Sequence, residues 1–342
     1  MLSVIHSFGR YLPMYRITSE TIALAWEREK DHAKGLGIIE KTVHAPDEDT
    51  FTMALEAAQQ AINLSEIEPH DISAVFVGSE SHPYAVKPTS GMLVPALNIN
   101  PMSHAADLEF ACKAGTAAMQ IVMSMVQAKQ IKYGLAIGSD NAQGKPGDAL
   151  EYSAASGAAA FLIGSASKKH PGLCSLDETL SYTTDTPDFW RNEGEAFPKH
   201  AGRFTGEPAY FHHVEKATKS ILEKTTLKVS DINHVVFHMP NGKFPLEAAK
   251  RLGFSKEQLE LGFIVPTIGN TYSACSPLGL TFVLEQAKKN EMILLVSYGS
   301  GAGSDGFAMT MLQDGKALPM REGKNEYLSY HQYTQHKEKV RA

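Results

Sequence analysis

Short, dense apolar runs punctuate this chain: "AVFVG" at 74–78, "HVVF" at 234–237 and "MILLV" at 292–296. Runs of this length, bounded by polar and glycine-containing stretches, predict buried β-strands, and none approaches the roughly 20 residues of a membrane span. "LCSLDETL" alternates apolar and polar side chains, the period of a strand, so Cys174 is expected to pack within one. After Cys112 the pattern changes. "KAGTAAMQIVMSMVQ" is apolar around most of a helix, and Ala111, Ala114, Gly115, Ala117 and Ala118 permit close backbone approach. A helix with so little polar face belongs between layers.

The same patterns recur at a fixed distance. "DISAVFVGSES" begins at Asp71 and "DINHVVFHMPN" at Asp231; "AKQIKYGLAIGSD" begins at Ala128 and "KKNEMILLVSYGS" at Lys288. Both pairs are offset by about 160 residues, with "CKAGTAAMQIVMSMVQ" falling opposite "YSACSPLGLTFVLEQ". Each half reads helix, strand, loop, buried helix, strand, which predicts an α/β fold of two duplicated halves, residues 1–167 and 168–342, related by a pseudo-two-fold axis. Stacking a sheet and an inner helix from each half gives five layers, αβαβα. Residues 168–214 interrupt the repeat with a Thr-, Pro-, Gly- and aromatic-rich segment, expected to be an ordered pocket wall. The charged tail from Arg321 is expected to be peripheral, docked by Tyr327 and Tyr330.

Composition narrows the function. The 342 residues carry a formal charge of −6 and no basic stripe, which argues against nucleic acid as a partner. Three cysteines, Cys112, Cys174 and Cys275, make no disulfide framework and no C-x-x-C zinc signature. The His212–His213 pair lacks the i, i+4 spacing of helical ligands, so no metal is assigned. The opening "MLSVIHSFGRYLPMYRI" has no cationic stretch followed by an apolar core, so no secretory leader is expected, and the chain reads as cytoplasmic.

Ligands of open α/β sheets gather beyond the carboxyl ends of the strands. Glu80 lies just past "AVFVG", His238 directly follows "HVVF", Cys112 precedes the first inner helix and Asn270 the second. The offset makes Cys112 equivalent to Tyr272, so a two-fold axis brings all four together. A thiolate at a helix start is expected to have a lowered pKa, with helix N–H groups and the "YGSGAGS" turn at 298–304 cradling an oxyanion. A partly buried Glu80 is expected to have a raised pKa suited to a general base. Each residue also has a plain reading: Cys112 as a small hydrophobe, His238 as a strand-end side chain, Glu80 as a cap, Asn270 as a turn former. Cys275 is the rival nucleophile, but it falls inside the helix start and reads as structural.

Together these residues resemble the 3-hydroxy-3-methylglutaryl-CoA synthase family of the thiolase superfamily, in its archaeal-type branch. The resemblance runs through "LPMYRI", "KGLGIIEKTV", "VGSESHPYAVKPT", "EFACKAGTAA", "GDALEYSAASGAAA", "SYTTDTPDFWR", "RFTGEPAYF", "NGKFPLEAAKRLGF", "IGNTYS" and "SYGSGAGSD". It implies that acetyl-CoA acylates Cys112, that Glu80 deprotonates the acetyl methyl, and that the enolate attacks acetoacetyl-CoA while His238 and Asn270 bond to the developing oxygens. It further implies oxyanion contacts from the N–H of Cys112 and the turn at Ser300, Lys243 near the CoA moiety, and Ser153 and Thr205 lining the pocket. It implies no cofactor beyond the CoA thioesters, a homodimer, and as partners a thiolase and a small zinc-containing OB-fold protein. Two departures stand out: Glu247 occupies a position that tends to be basic and is expected to repel a CoA phosphate, and Ala274 and Cys275 are expected to narrow the pocket. The competing readings are a decarboxylating ketoacyl-carrier-protein synthase, which needs no glutamate base, an aldol enzyme acting on carrier-protein substrates, and a non-catalytic scaffold.

Overall fold

The computed structural model describes residues 2–28, 33–142, 144–319 and 323–337. The main sheet is built from nine strands: β1 (Ser3–Tyr11), β2 (Ile72–Gly78), β3 (His104–Leu108), β4 (Tyr133–Asp140), β5 (Gly157–Ser165), β6 (Cys174–Thr183), β7 (His234–Phe237), β8 (Met292–Val296) and β9 (Gly303–Met311). Five helices frame the site: α1 (Thr50–Asn63), α2 (Ala114–Gln127), α3 (His212–Thr225), α4 (Phe244–Leu252) and α5 (Cys275–Gln286).

The strand order is β7-β8-β9-β6-β1-β5-β4-β2-β3. Outward from the central β6–β1 junction, each side reads antiparallel, antiparallel, parallel: β1 to β5, β4 and β2 on one, β6 to β9, β8 and β7 on the other. β3 adds one more parallel strand at the edge of the first side. The mirrored order fits a division into two related halves. The halves do not keep separate sheets, however. Val4 pairs with Ser175 and Ile5 with Cys174, joining the two ladders into one.

Alternation along the strands divides the apolar side chains among three cores. On β5, Ala158, Ala160 and Leu162 pack under α1, whereas Ala159, Phe161 and Ile163 face the central core with α2 and α5. On β8, Ile293 and Leu295 face that same core, and Leu294 and Val296 pack under α3 and α4. The result is the expected sequence of helix, sheet, helix, sheet, helix, with α2 and α5 in the middle.

One expectation holds and another needs correction. The strand expected around Cys174 is β6, which lies within residues 168–214 and pairs along β9 from Cys174–Met311 to Thr183–Gly303. The tail is less peripheral than expected: Arg321 lies outside the described residues, but Tyr333 is fully buried. The expected docking is present, with Tyr330 Oη donating to Glu151 Oε1 at 2.9 Å and Tyr327 Oη to Glu40 Oε2 at 2.8 Å.

Candidate active site

Each candidate is delivered by the end of an element. β2 ends at Gly78, two residues before Glu80, and β7 ends at Phe237, with the His238 N–H extending its ladder to Val296 O at 2.9 Å. Cys112 sits two residues ahead of α2, behind a kink at Ala111, whose φ is +42°. Tyr272, its equivalent by the 160-residue offset, has φ +51°. Neither residue is glycine, so both positions hold backbone strain of the kind packed surroundings must enforce.

The structure brings these ends to one place. Cys112, Ser153, Thr205, His238, Asn270 and Ser300 all line a cavity of about 180 Å³, whose wall includes Phe189, His200 and Tyr210 from the aromatic-rich segment. Glu80 meets Cys112 from the side: the thiol Sγ donates to Glu80 Oε1 at 3.1 Å. Lys243 is not in this cavity. It lies in an adjoining groove of about 900 Å³, separated by the shared Phe244.

Burial sets the protonation states. It pushes the Glu80 carboxyl up to about 8, with the neighbouring Asp140 carboxylate adding to the shift. The Cys112 thiol is also raised well above its ordinary value, by burial first and then by Glu80 and Asp140. This reverses the lowered pKa expected from a helix start: the helix begins two residues later, and desolvation beside two carboxyl groups outweighs its dipole. Burial pushes His238 down to about 3, so its imidazole is neutral at physiological pH, and its Nδ1 has no hydrogen-bond partner among the described residues. Neutral imidazole can donate or accept a proton toward a bound carbonyl.

Asn270 is locked by its backbone. Its N–H donates to Ser153 O at 2.7 Å, its carbonyl accepts from Ala155 N at 2.9 Å, and its Oδ1 accepts from Tyr272 N at 3.0 Å. Behind that turn the buried Lys41 Nζ donates to the carbonyls of Glu151 and Ala154 and to Tyr333 Oη. The Thr205 hydroxyl donates to Gly202 O at 2.8 Å.

Several participants escaped the sequence reading. Asp140, fully buried at the end of β4, accepts from Ser79 Oγ, Ser81 Oγ and the Glu80 N–H, and also from Ser273 N at 2.8 Å just ahead of α5. It therefore holds the loop that bears Glu80 in one half against the other. Asp188 accepts from Tyr298 Oη and from Gly301 N, anchoring both flanks of Ser300. Tyr210 Oη donates to His238 O at 2.7 Å. The signal for both aspartates was an acidic residue at a strand or turn end, which composition cannot tell from a cap.

The departures turn out differently from expectation. Glu247 is paired with Arg251 at 2.9 Å, and the groove around it also carries Lys243, Lys250 and Lys256, so cations outnumber the carboxylate there. Cys275 Sγ lies 3.7 Å from Met239 O within the central core, and burial raises its thiol to about 12. Ala274 is in the same core rather than on the cavity wall.

Against known proteins, the hydroxymethylglutaryl-CoA synthase of Methanocaldococcus jannaschii is 51% identical over 98% of both chains. This chain belongs to the hydroxymethylglutaryl-CoA synthase family. The family's Archaeoglobus fulgidus member is 52% identical, again over 98% of each chain. Membership makes the chain a carbon–carbon bond-forming acyltransferase. Residues 222–311 match the model for 3-oxoacyl-[acyl-carrier-protein] synthase III, C terminal. An HMG-CoA synthase crystallised with CoA superposes with a TM-score of 0.87 at 24% identity, covering 98% of this chain and 90% of that one, and shares the thiolase-like α/β fold.

Proposed function

We propose that this chain condenses acetyl-CoA with acetoacetyl-CoA and water to give 3-hydroxy-3-methylglutaryl-CoA and free CoA, a step of the mevalonate route to isoprenoids. The 3.1 Å contact between the Cys112 thiol and Glu80, beside a cavity shared with His238 and Asn270, carries this reading.

Cys112 attacks the acetyl carbonyl, and CoA leaves as the thiol, taking the proton. Glu80, as carboxylate, removes a proton from the acetyl methyl, and the enolate carbon bonds to the ketone carbon of acetoacetyl-CoA. Glu80 returns its proton to the new alkoxide, and water cleaves the enzyme thioester. His238 and Asn270 hydrogen-bond to the substrate oxygens, the turn at Ser300 and the Cys112 N–H stabilise the thioester oxyanion, and Ser153 and Thr205 shape the pocket. Lys243, in the cation-bearing outer groove, faces the CoA phosphates.

A decarboxylating condensation leaves Glu80 without a task, because loss of carbon dioxide generates the carbanion unaided. The same reading takes the chain as a cytoplasmic homodimer that works beside a thiolase and a small zinc-containing OB-fold protein and needs no cofactor beyond its substrates. For the homodimer, what supports it is the outer edge of β3, unpaired among the described strands and open to a second copy. The test is mass spectrometry after incubation with acetyl-CoA, followed by addition of acetoacetyl-CoA. An acetyl group on Cys112 that is consumed on the second addition is expected; an unmodified Cys112 overturns the reading.

A further inference from the structure

Directly after the nucleophile stands a lysine that the proposed chemistry does not use. Lys113 is 4% exposed, and its Nζ lies 3.0 Å and 3.2 Å from the two carboxylate oxygens of the fully buried Asp305, 192 residues away on β9. Asp305 also accepts from Ser181 Oγ at 2.7 Å and Thr116 Oγ1 at 2.8 Å, so strands β6 and β9 and helix α2 meet at one carboxylate. The lysine stem runs beneath the turn that carries Ser300. A Cβ added to Gly299 would lie 2.6 Å from Phe110 O and 3.0 Å from Lys113 N; one added to Gly303 would lie 2.8 Å from Lys113 Cε. Gly299 and Gly303 close that turn with reciprocal backbone bonds of 2.8 and 2.9 Å. No side chain fits between the nucleophile loop and the turn.

We infer that the Lys113–Asp305 pair is a positioning device that fixes the Ser300 turn at its working distance from the Cys112 thiol, and so governs acyl transfer rather than stability. The inference rests on the thioester chemistry proposed above. A buried ion pair is a weak source of stability, since well-packed neutral replacements of both partners are often tolerated, but it allows only one register. Oxyanion donors, by contrast, lose their effect when displaced by a fraction of an ångström. Lys113 and Asp305 are therefore positioning residues, acting through the turn.

The test compares two reactions of Cys112 in the full chain. Alkylation by iodoacetamide develops no oxyanion; acetylation by acetyl-CoA does. In the Lys113→Met/Asp305→Asn double variant, Cys112 alkylation is expected within about twofold of the parent rate, while single-turnover acetylation falls at least about tenfold. Asp305→Glu, which keeps the charge but lengthens the side chain by one methylene, is expected to show the same split and decides the matter if the double variant does not fold. Parent-like acetylation, or both rates falling together, overturns the inference. A parent protein that is alkylated but never acetylated overturns the thioester reading, and this inference with it.

Discussion

Three reactive side chains meet at the site, and all three rest uncharged: a thiol, a carboxylic acid below about pH 8 and a neutral imidazole. Glu80 can take a methyl proton only as carboxylate, so condensation is expected to rise about tenfold per pH unit up to about 8, then level off. Initial rates across that range check it. Glu80→Ala is expected to leave acetylation of Cys112 intact while condensation drops about 10²- to 10⁴-fold; normal turnover would remove the base assignment. The same carboxyl links to stability. Its folded pKa is raised above the 4.5 of an exposed group, so its contribution is complete below about 4.5 and disappears as pH rises through 8. Glu80→Gln is expected to flatten that decline in melting temperature. Cys112, Glu80, His238 and Asn270 were legible because each follows or precedes a run with a clear period. Asp140 was not, because its role depends on Ser273, which lies 133 residues away in sequence.

Among the elements, the apolar strands announced themselves, and the inner helix after Cys112 did so by its missing polar face. β6 was half legible: the alternation of "LCSLDETL" gave its start, but from Asp177 onward the strand is largely half-buried or exposed, so its far end merged with the polar insertion. Pairing with β9, fixed by tertiary structure, overrides that weak local signal. Helix α1 shows a start the sequence encodes locally. Asp49 caps it, accepting from Thr52 N at 2.9 Å, while Thr52 Oγ1 accepts from Asp49 N in return. Asp49→Ala is expected to cost about 1 kcal/mol in urea unfolding. Next to the cap, Thr50 Oγ1 donates to Ser81 O at 2.8 Å, so the helix start also steadies the loop that bears Glu80.

Across the whole molecule, the repeat foretold that two halves would meet at the site, but not how tightly. A Cβ placed on Gly115 would lie 2.5 Å from Ser273 O and 3.0 Å from Gly138 Cα, so the halves touch backbone to backbone. Gly115→Ala is expected to destabilise the fold by about 1–3 kcal/mol, read from thermal melts, and to depress turnover by displacing Ser273 from Asp140. Such long-range closure also has a meaning in time. A ribosome adding about 5–20 residues per second needs roughly 10–40 s to travel the 192 positions from Lys113 to Asp305. For most of that interval the nascent polypeptide bears its sulfur without the imidazole of His238 or the amide of Asn270, and to its end without the Asp305 carboxylate. The assembled site thus comes into being only when β9 joins the sheet, late in the chain.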